Sequence, residues 1–385
     1  MPEFPGTISS KLPKIGISIF SQMSYLANEY KAINLSQGFP NFNCDEELVS
    51  LVNQNMKKGF NQYAPMPGLL SLREAIAEKT SELYGANFNP ETEITITAGA
   101  TQAIYSIISA VVREDDEVII FCPAYDCYQP AIELSGGKTI FVHLKYPNYN
   151  IDWEGVKKLI NHRTKMIIIN TPHNPSGAVL TASDMAKLEK ITKNTDILIL
   201  SDEVYEHILF DGEVHQSVAK YPKLAERSFI VSSFGKTYHT TGWKIGYCLA
   251  PKNLMSEFRK VHQYVVFCTN TPIQHALAEY LKNKNAYLEL GAFYQQKRDK
   301  FNSLIKSSRF KVNTAKGTYF QLLDYADISK EKDMDFAIRL TKEHGIASVP
   351  VSVFYNVPID NHTLRFCFAK DDETLEKAAE ILCKI

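Results

Sequence analysis

The segment Ser232-Ser233-Phe234-Gly235-Lys236-Thr237-Tyr238-His239-Thr240-Thr241-Gly242-Trp243-Lys244 sets two lysines eight residues apart among glycines and hydroxyl side chains. Such a stretch makes a poor core and a good holder for an amine beside a phosphate. Lysine forms Schiff bases with carbonyl compounds, and its pKa falls readily when it is desolvated or set near another cation. One bound carbonyl compound carrying a phosphate accounts for both lysines, and pyridoxal phosphate is such a compound.

Other residues offer the remaining parts of such a site. Thr97-Ala98-Gly99-Ala100-Thr101-Gln102 joins a strand-like run to a helical one. Small residues there let backbone N–H groups approach an anion at a helix N-terminus, and Thr101 adds a hydroxyl; the plainer alternative is a simple turn. Asn170-Thr171-Pro172-His173-Asn174-Pro175-Ser176-Gly177 is a loop stiffened by two prolines. It presents Asn174 either as an amide donor or as an Asx turn capping a helix. His173 reads as solvent-facing or structural. In Ser201-Asp202-Glu203-Val204-Tyr205, Asp202 stands where a buried run emerges, so its charge needs a partner. A pyridinium nitrogen would serve, because the carboxylate favours the protonated ring and makes it an electron sink for a substrate carbanion. Tyr205 and Asn174 can donate to the ring's phenolate oxygen, while the competing role for Asp202 is a helix N-cap. Arg365 lies in the apolar run Thr363-Leu364-Arg365-Phe366-Cys367-Phe368. A guanidinium there needs a carboxylate, which is either an internal Asp or Glu or the α-carboxylate of a substrate.

These residues must be positioned by something, and the chain supplies it. From about residue 93, short β-rich runs alternate with helical stretches: Ile94–Thr97, Val118–Phe121, Ile140–Val142, Met166–Ile169, Ile197–Leu200, Phe229–Val231 and Ile245–Leu249. Several are continuously apolar, as strands buried on both faces of a mostly parallel sheet are. Helices are expected between them, for example over Thr101–Val112 and Thr181–Thr192. The fold class is therefore α/β, a mostly parallel seven-stranded sheet flanked by helices, whose ligands sit beyond the C-terminal strand ends. Helical patterns dominate after Asn270, followed by strand-like Gly317–Leu323 and Leu364–Phe368. We expect a large domain over residues 45–275, and a smaller α+β domain from 1–44 and 276–385.

Composition excludes several classes of function. Hydrophobic residues make up 45% and charged residues 22% of the 385, and the formal net charge is -1. No global field draws the chain to nucleic acid or to a membrane surface. No window approaches the ~20 apolar residues of a spanning helix, and no basic leader precedes an apolar stretch. Seven scattered cysteines without framework or metal-ligand spacing read as reduced thiols. The expectation is a cytoplasmic protein without a metal.

Taken together, these segments resemble the fold-type I, class I/II aminotransferases, in particular the subgroup of glutamine transaminase K, kynurenine aminotransferase and bacterial methionine aminotransferases. The resemblance runs through Asn34–Pro40, Asn61-Gln62-Tyr63, Thr171–Gly177, Ser201–Tyr205, Ser232–Gly246 and Val349–Lys370. It implies that Lys236 forms the Schiff base with pyridoxal phosphate and shuttles the proton. Asp202 would hold the ring nitrogen, and Asn174 and Tyr205 the phenolic oxygen. Ser233, Lys244, Ala100 and Thr101 would bind the phosphate, and Tyr125 would stack on the ring. Arg365, with Asn174 and the backbone of Gly38, would clamp the substrate carboxylate. Tyr63 would reach the neighbouring subunit's phosphate, which makes the site the shared property of a homodimer.

The implied reaction is ping-pong transfer of an amino group between an L-amino acid and a 2-oxo acid. Phe20, Tyr63, Tyr125, Phe267 and Phe354 suggest an aromatic-lined side-chain pocket. Methionine suits it, because a thioether packs well on aromatic faces; aromatic and other neutral amino acids also fit. A C–S β-lyase on the same cofactor is the nearest alternative. A more distant one is a pyridoxal-phosphate-binding regulator, which would need a basic DNA-binding module that the sequence does not display.

Overall fold

All seven apolar runs become strands of one sheet in the computed structural model, which describes residues 2–385. They are β1 (Ile94–Thr97), β2 (Glu117–Cys122), β3 (Lys138–His143), β4 (Thr164–Asn170), β5 (Leu198–Asp202), β6 (Ser228–Ser233) and β7 (Gly246–Leu249). Their spatial order is β1-β7-β6-β5-β4-β2-β3. β7 runs antiparallel to both of its neighbours, and the other pairs are parallel.

The continuous apolar runs have a direct packing cause. Side chains alternate across a strand, so a sheet covered on both faces needs apolar residues at every position. In β2, Val118 and Ile120 enter one core and Ile119 and Phe121 the other; in β4, Met166 and Ile168 part in the same way from Ile167 and Ile169. Edge strand β3 is mostly half-buried or exposed, in keeping with its single partner. Helix Ala100–Val111 packs Ala103, Ile104, Ile107 and Ile108 against one face. Helix Ala182–Thr192 packs Met185 and Leu188 against the other. Thr181, expected as the first helical residue, is instead its N-cap, in a reciprocal capping box with Asp184.

A third core surrounds a four-stranded antiparallel sheet of Lys311–Asn313, Phe320–Asp324, Val349–Pro350 and Thr363–Cys367. Ile19, Met23 and Leu35 join this core from the N-terminal stretch, and a short parallel ladder pairs Ile33 with Ile346 and Asn34 with Ala347. The strand expected from Gly317 starts only at Phe320. Thr318 has φ 65°, and a side chain at Gly317 would collide with Pro172, so the chain bends there before the ladder begins.

The topology brings several chain segments to one edge of the large sheet. Parallel β4, β5 and β6 end there at Asn170, Asp202 and Ser233, and β1 ends there before Gly99. β7 runs the other way, so its start delivers Lys244 and Ile245 to that same edge. The register Thr97↔Gly246↔Ser233 fixes the arrangement.

Candidate active site

A cavity of about 200 Å³ opens at that edge, between the large sheet and the small one. At one end Gly99, with φ 77°, turns the chain into helix Ala100–Val111, whose first N–H groups have no side-chain cap. A Cβ on Gly99 would lie 3.4 Å from Lys244 Nζ, and one on Gly246 would lie 2.6 Å from the Ser232 carbonyl oxygen. The glycines therefore let the helix N-terminus, Lys244, Ser233, Thr101 and Thr241 converge on one spot. Free N–H groups, an ammonium and hydroxyls form a donor set suited to a phosphate.

Asp202 lies deeper, 4% exposed. Its Oδ2 accepts from Tyr128 Oη at 2.5 Å and its Oδ1 from the Val204 amide at 3.3 Å. Burial pushes its pKa up to about 6 against these two hydrogen bonds. It is the last residue of β5 and caps no helix. Asn170 ties the neighbouring loops together, donating to the Asp202 carbonyl at 3.0 Å and accepting from the Asn174 amide at 2.8 Å. Tyr125 lines the same cavity, its ring edge-on to Tyr128.

Lys236 follows β6 on a single helical turn. Its Nζ donates to Tyr319 Oη at 2.9 Å and to the Gly38 carbonyl at 3.1 Å. Desolvation lowers its pKa to about 8, with Lys244 and Arg365 adding to the fall and Cys367 and Asp202 opposing it. Nearly half-neutral at mild alkalinity, this amine is poised for proton transfer or nucleophilic attack.

Arg365 is 1% exposed and forms no ion pair among the described residues. Its Nη1 donates to Asn174 Oδ1 at 2.8 Å and its Nη2 to the Ser36 carbonyl at 3.1 Å, while Nε has no partner. The guanidinium lies 3.9 Å from the ring centre of Phe320 and 5.2 and 5.4 Å from those of Phe20 and Phe354. The internal acid that could have paired it is absent from these contacts. A buried guanidinium with unsatisfied donor capacity on an open cavity suits an incoming carboxylate.

The structure thus gathers Phe20, Gly38, Ala100, Thr101, Tyr125, Asn174, Asp202, Tyr205, Ser233, Lys236, Lys244 and Arg365 around one cavity. Tyr63 and Phe267 are elsewhere on the chain surface, 82% and 46% exposed, edge to face at 5.3 Å. Neither contributes to an aromatic pocket within the single chain. Phe354 is buried behind Phe20 rather than lining the opening. His173 is buried and bonded to Ser176 at 2.6 Å, which corrects its solvent-facing alternative and leaves the structural one. Burial holds it neutral, near a pKa of about 4. Sequence reasoning did not single out Tyr128, Tyr319, Phe320 or Gln37. Tyr128 stands three residues from Tyr125 in a polar-aromatic turn, which was its only signal.

Residues 30–382 match the family model "Aminotransferase class I and II", and the chain belongs to that family. It is a transaminase of the pyridoxal-phosphate-dependent class, with the α/β fold of that class. The chain is 49% identical to methionine aminotransferase of Escherichia coli K12, over 97% of each chain. It is 32% identical to human kynurenine–oxoglutarate transaminase 1, over 93% of each. The solved structure of E. coli YbdL, assigned a methionine aminotransferase function, superposes with a TM-score of 0.97 at 48% identity, covering 99% of this chain and 100% of that one. Thermus thermophilus aspartate aminotransferase with maleate gives 0.90 at 28% identity, with 98% and 99% covered. No helix among the described residues is long and apolar enough to cross a membrane.

Proposed function

We propose that this aminotransferase holds pyridoxal phosphate in the cavity and transfers the amino group of methionine, and of aromatic and other neutral amino acids, to 2-oxo acids. One observation carries the reading: a desolvated lysine amine, a buried carboxylate and a buried guanidinium without an acidic partner share one cavity. When bound, the cofactor supplies an electron sink conjugated to the substrate nitrogen.

The chain's own residues do the rest. The N-terminus of helix Ala100–Val111, with Thr101, Ser233 and Lys244, binds the phosphate. Tyr125 would stack on the ring. Asp202 supplies the negative charge that keeps the ring nitrogen protonated, with Tyr128 fixing the carboxylate's orientation. Tyr205 and the Asn174 amide would donate to the phenolic oxygen. Arg365 orients the substrate by its α-carboxylate, helped by Asn174 and the Gly38 backbone. Lys236 Nζ would hold the cofactor as a Schiff base; as the free amine it would take the proton from the α-carbon of the amino acid donor and, in the reverse half-reaction, give one to the α-carbon of the amino acid made from the 2-oxo acid. Because the first 2-oxo acid leaves before the second binds, the kinetics would be ping-pong.

Phe20 and Phe320 give the opening apolar aromatic walls, and the cavity's cations are Lys236, Lys244 and Arg365. Since each of these has a task, none remains to pair with an acidic side chain. A thioether meets the aromatic faces well, and the name of the E. coli relative supports methionine. We take residues 45–275 as the cofactor-holding domain, with 1–44 and 276–385 as the smaller one. Exposed Tyr63, Tyr264, Val265 and Phe267 support a homodimer in which Tyr63 completes the partner's phosphate site.

The test is the absorption spectrum of purified protein with and without methionine. Exchange of an aldehyde-form band for an amine-form band establishes the first half-reaction, and Lys236→Ala abolishes it in folded protein. No spectral change with any amino acid refutes the reading. Methionine should exceed aspartate at least tenfold in kcat/KM, a difference of only ~1.4 kcal/mol.

A further inference from the structure

Tyr319 was expected only as part of a strand, yet its hydroxyl touches the most reactive group in the cavity. Lys236 Nζ donates to Tyr319 Oη at 2.9 Å and to the Gly38 carbonyl at 3.1 Å, and Tyr319 Oη donates to that same carbonyl. The Tyr319 ring is fully buried and packed edge-on to Tyr205 and Phe320, with Tyr294 behind it. Gly38, itself half-buried, is held close against Phe320, since a Cβ there would lie 2.8 Å from Phe320 Cζ. Burial pushes the Tyr319 phenol well above its ordinary pKa, so it stays neutral with one proton to give. That proton goes to Gly38, which leaves the oxygen free to accept from Lys236.

A neutral lysine amine has two N–H bonds and one lone pair. With both N–H bonds engaged, the lone pair points away from Tyr319 and Gly38. We propose that Tyr319 and the Gly38 carbonyl form a seat for the free Lys236 amine, and that Tyr319 is thereby a positioning residue for proton transfer at the substrate α-carbon. The seat holds the amine whenever it is not attached to cofactor. Without the hydroxyl, one N–H bond loses its acceptor and the lone pair turns freely.

The proposal rests on Lys236 being the reacting amine, which Lys236→Ala tests separately through loss of turnover. The seat itself is read in full-length protein freed of cofactor, by pulsed acetic anhydride labelling of Lys236 from pH 6 to 10 with peptide mass spectrometry. Wild type should show an inflection near pH 8. In Tyr319→Phe the inflection falls by about one pH unit, because the ammonium form loses a hydrogen-bond acceptor. In the cofactor-loaded variant, kcat for methionine falls about tenfold while KM stays within twofold. Tyr319→Met, which also lacks the hydroxyl and packs on aromatic neighbours, replaces Tyr319→Phe where that variant does not fold. An unchanged inflection overturns the proposal, and so does a lowered inflection with wild-type kcat. Retained turnover in Lys236→Ala would instead sink the assignment of the reacting amine, whatever the labelling profile.

Discussion

Asp202→Asn separates the cost of a buried charge from its use. In the cofactor-free chain, Asp202 is ionised only above a pKa of about 6, against an ordinary 3.8. At neutral pH the buried carboxylate then costs about 3 kcal/mol, at about 1.4 kcal/mol per pH unit. The sign follows from proton uptake. Between pH 4 and 6 the native state holds a proton here that the unfolded state has lost, so this group's contribution to stability falls as pH rises through that window. Asparagine has no charge to bury and keeps an oxygen to accept from Tyr128. Its stability advantage over wild type should therefore grow by about 2 kcal/mol between pH 4.5 and 7.5. Urea unfolding of both cofactor-free proteins, followed by the fluorescence of the two tryptophans, measures the difference, and groups common to both cancel. With cofactor bound the order reverses, because the amide cannot hold a protonated ring nitrogen; kcat should fall about 100-fold, the equivalent of those 3 kcal/mol. An advantage that is constant with pH, or a kcat within threefold of wild type, would refute the reasoning.

Three further outcomes are expected. Arg365→Lys removes the paired donors and leaves a point charge, so kcat/KM for every amino acid should fall about 100-fold, mostly through KM, while cofactor absorbance is retained; unchanged KM would dismiss the carboxylate clamp. Tyr63→Ala should raise the cofactor dissociation constant about tenfold, and mixing it with Lys236→Ala should restore a fraction of wild-type activity in hybrid dimers; no recovery on mixing argues against a shared site. Lys79→Ala strands Glu206, whose carboxyl the Lys79 ammonium at 2.8 Å helps hold well below its usual range against burial. Global stability should fall by about 3–5 kcal/mol, visible as a lower urea midpoint in cofactor-loaded protein, with kcat for methionine preserved in the folded fraction.

The large sheet was legible because its strands bury both faces, and that demand writes uninterrupted apolar runs such as Met166–Ile169 into the chain. The polar residues beside those runs were legible for the same reason, since Asp202 ends one of them and Asn174 sits in the polar loop that follows another. Arg365 was visible as an anomaly, but its lack of an acidic partner depends on what the fold brings near it. Tyr319 was hidden by its surroundings: among Gly317, Phe320 and Leu322 an aromatic residue reads as core, and its ring is core. Only the bend at Thr318 and the approach of Gly38 turn its hydroxyl toward Lys236. Tyr63 and Phe267 lie away from the cavity of the single chain, a placement hidden from the sequence because aromatic residues look alike there whether they line a cavity or cover a surface.

Arg365 has a further consequence through its place in the small sheet. It lies on a central strand, paired with Leu322 on one side and Val349 on the other. Lys236 is fixed just as firmly by the end of β6 in the large sheet. In the proposed reaction the span from guanidinium to amine is thus a gauge set between two sheets, measuring only what all α-amino acids share. Phe20, by contrast, lies in the first turn of helix Ile19–Glu29, after a stretch of exposed, irregular chain. In the proposed reaction substrate identity is judged at that margin, so changes around residue 20 should redirect the enzyme toward other side chains while the gauge, and with it the chemistry, stays as it is.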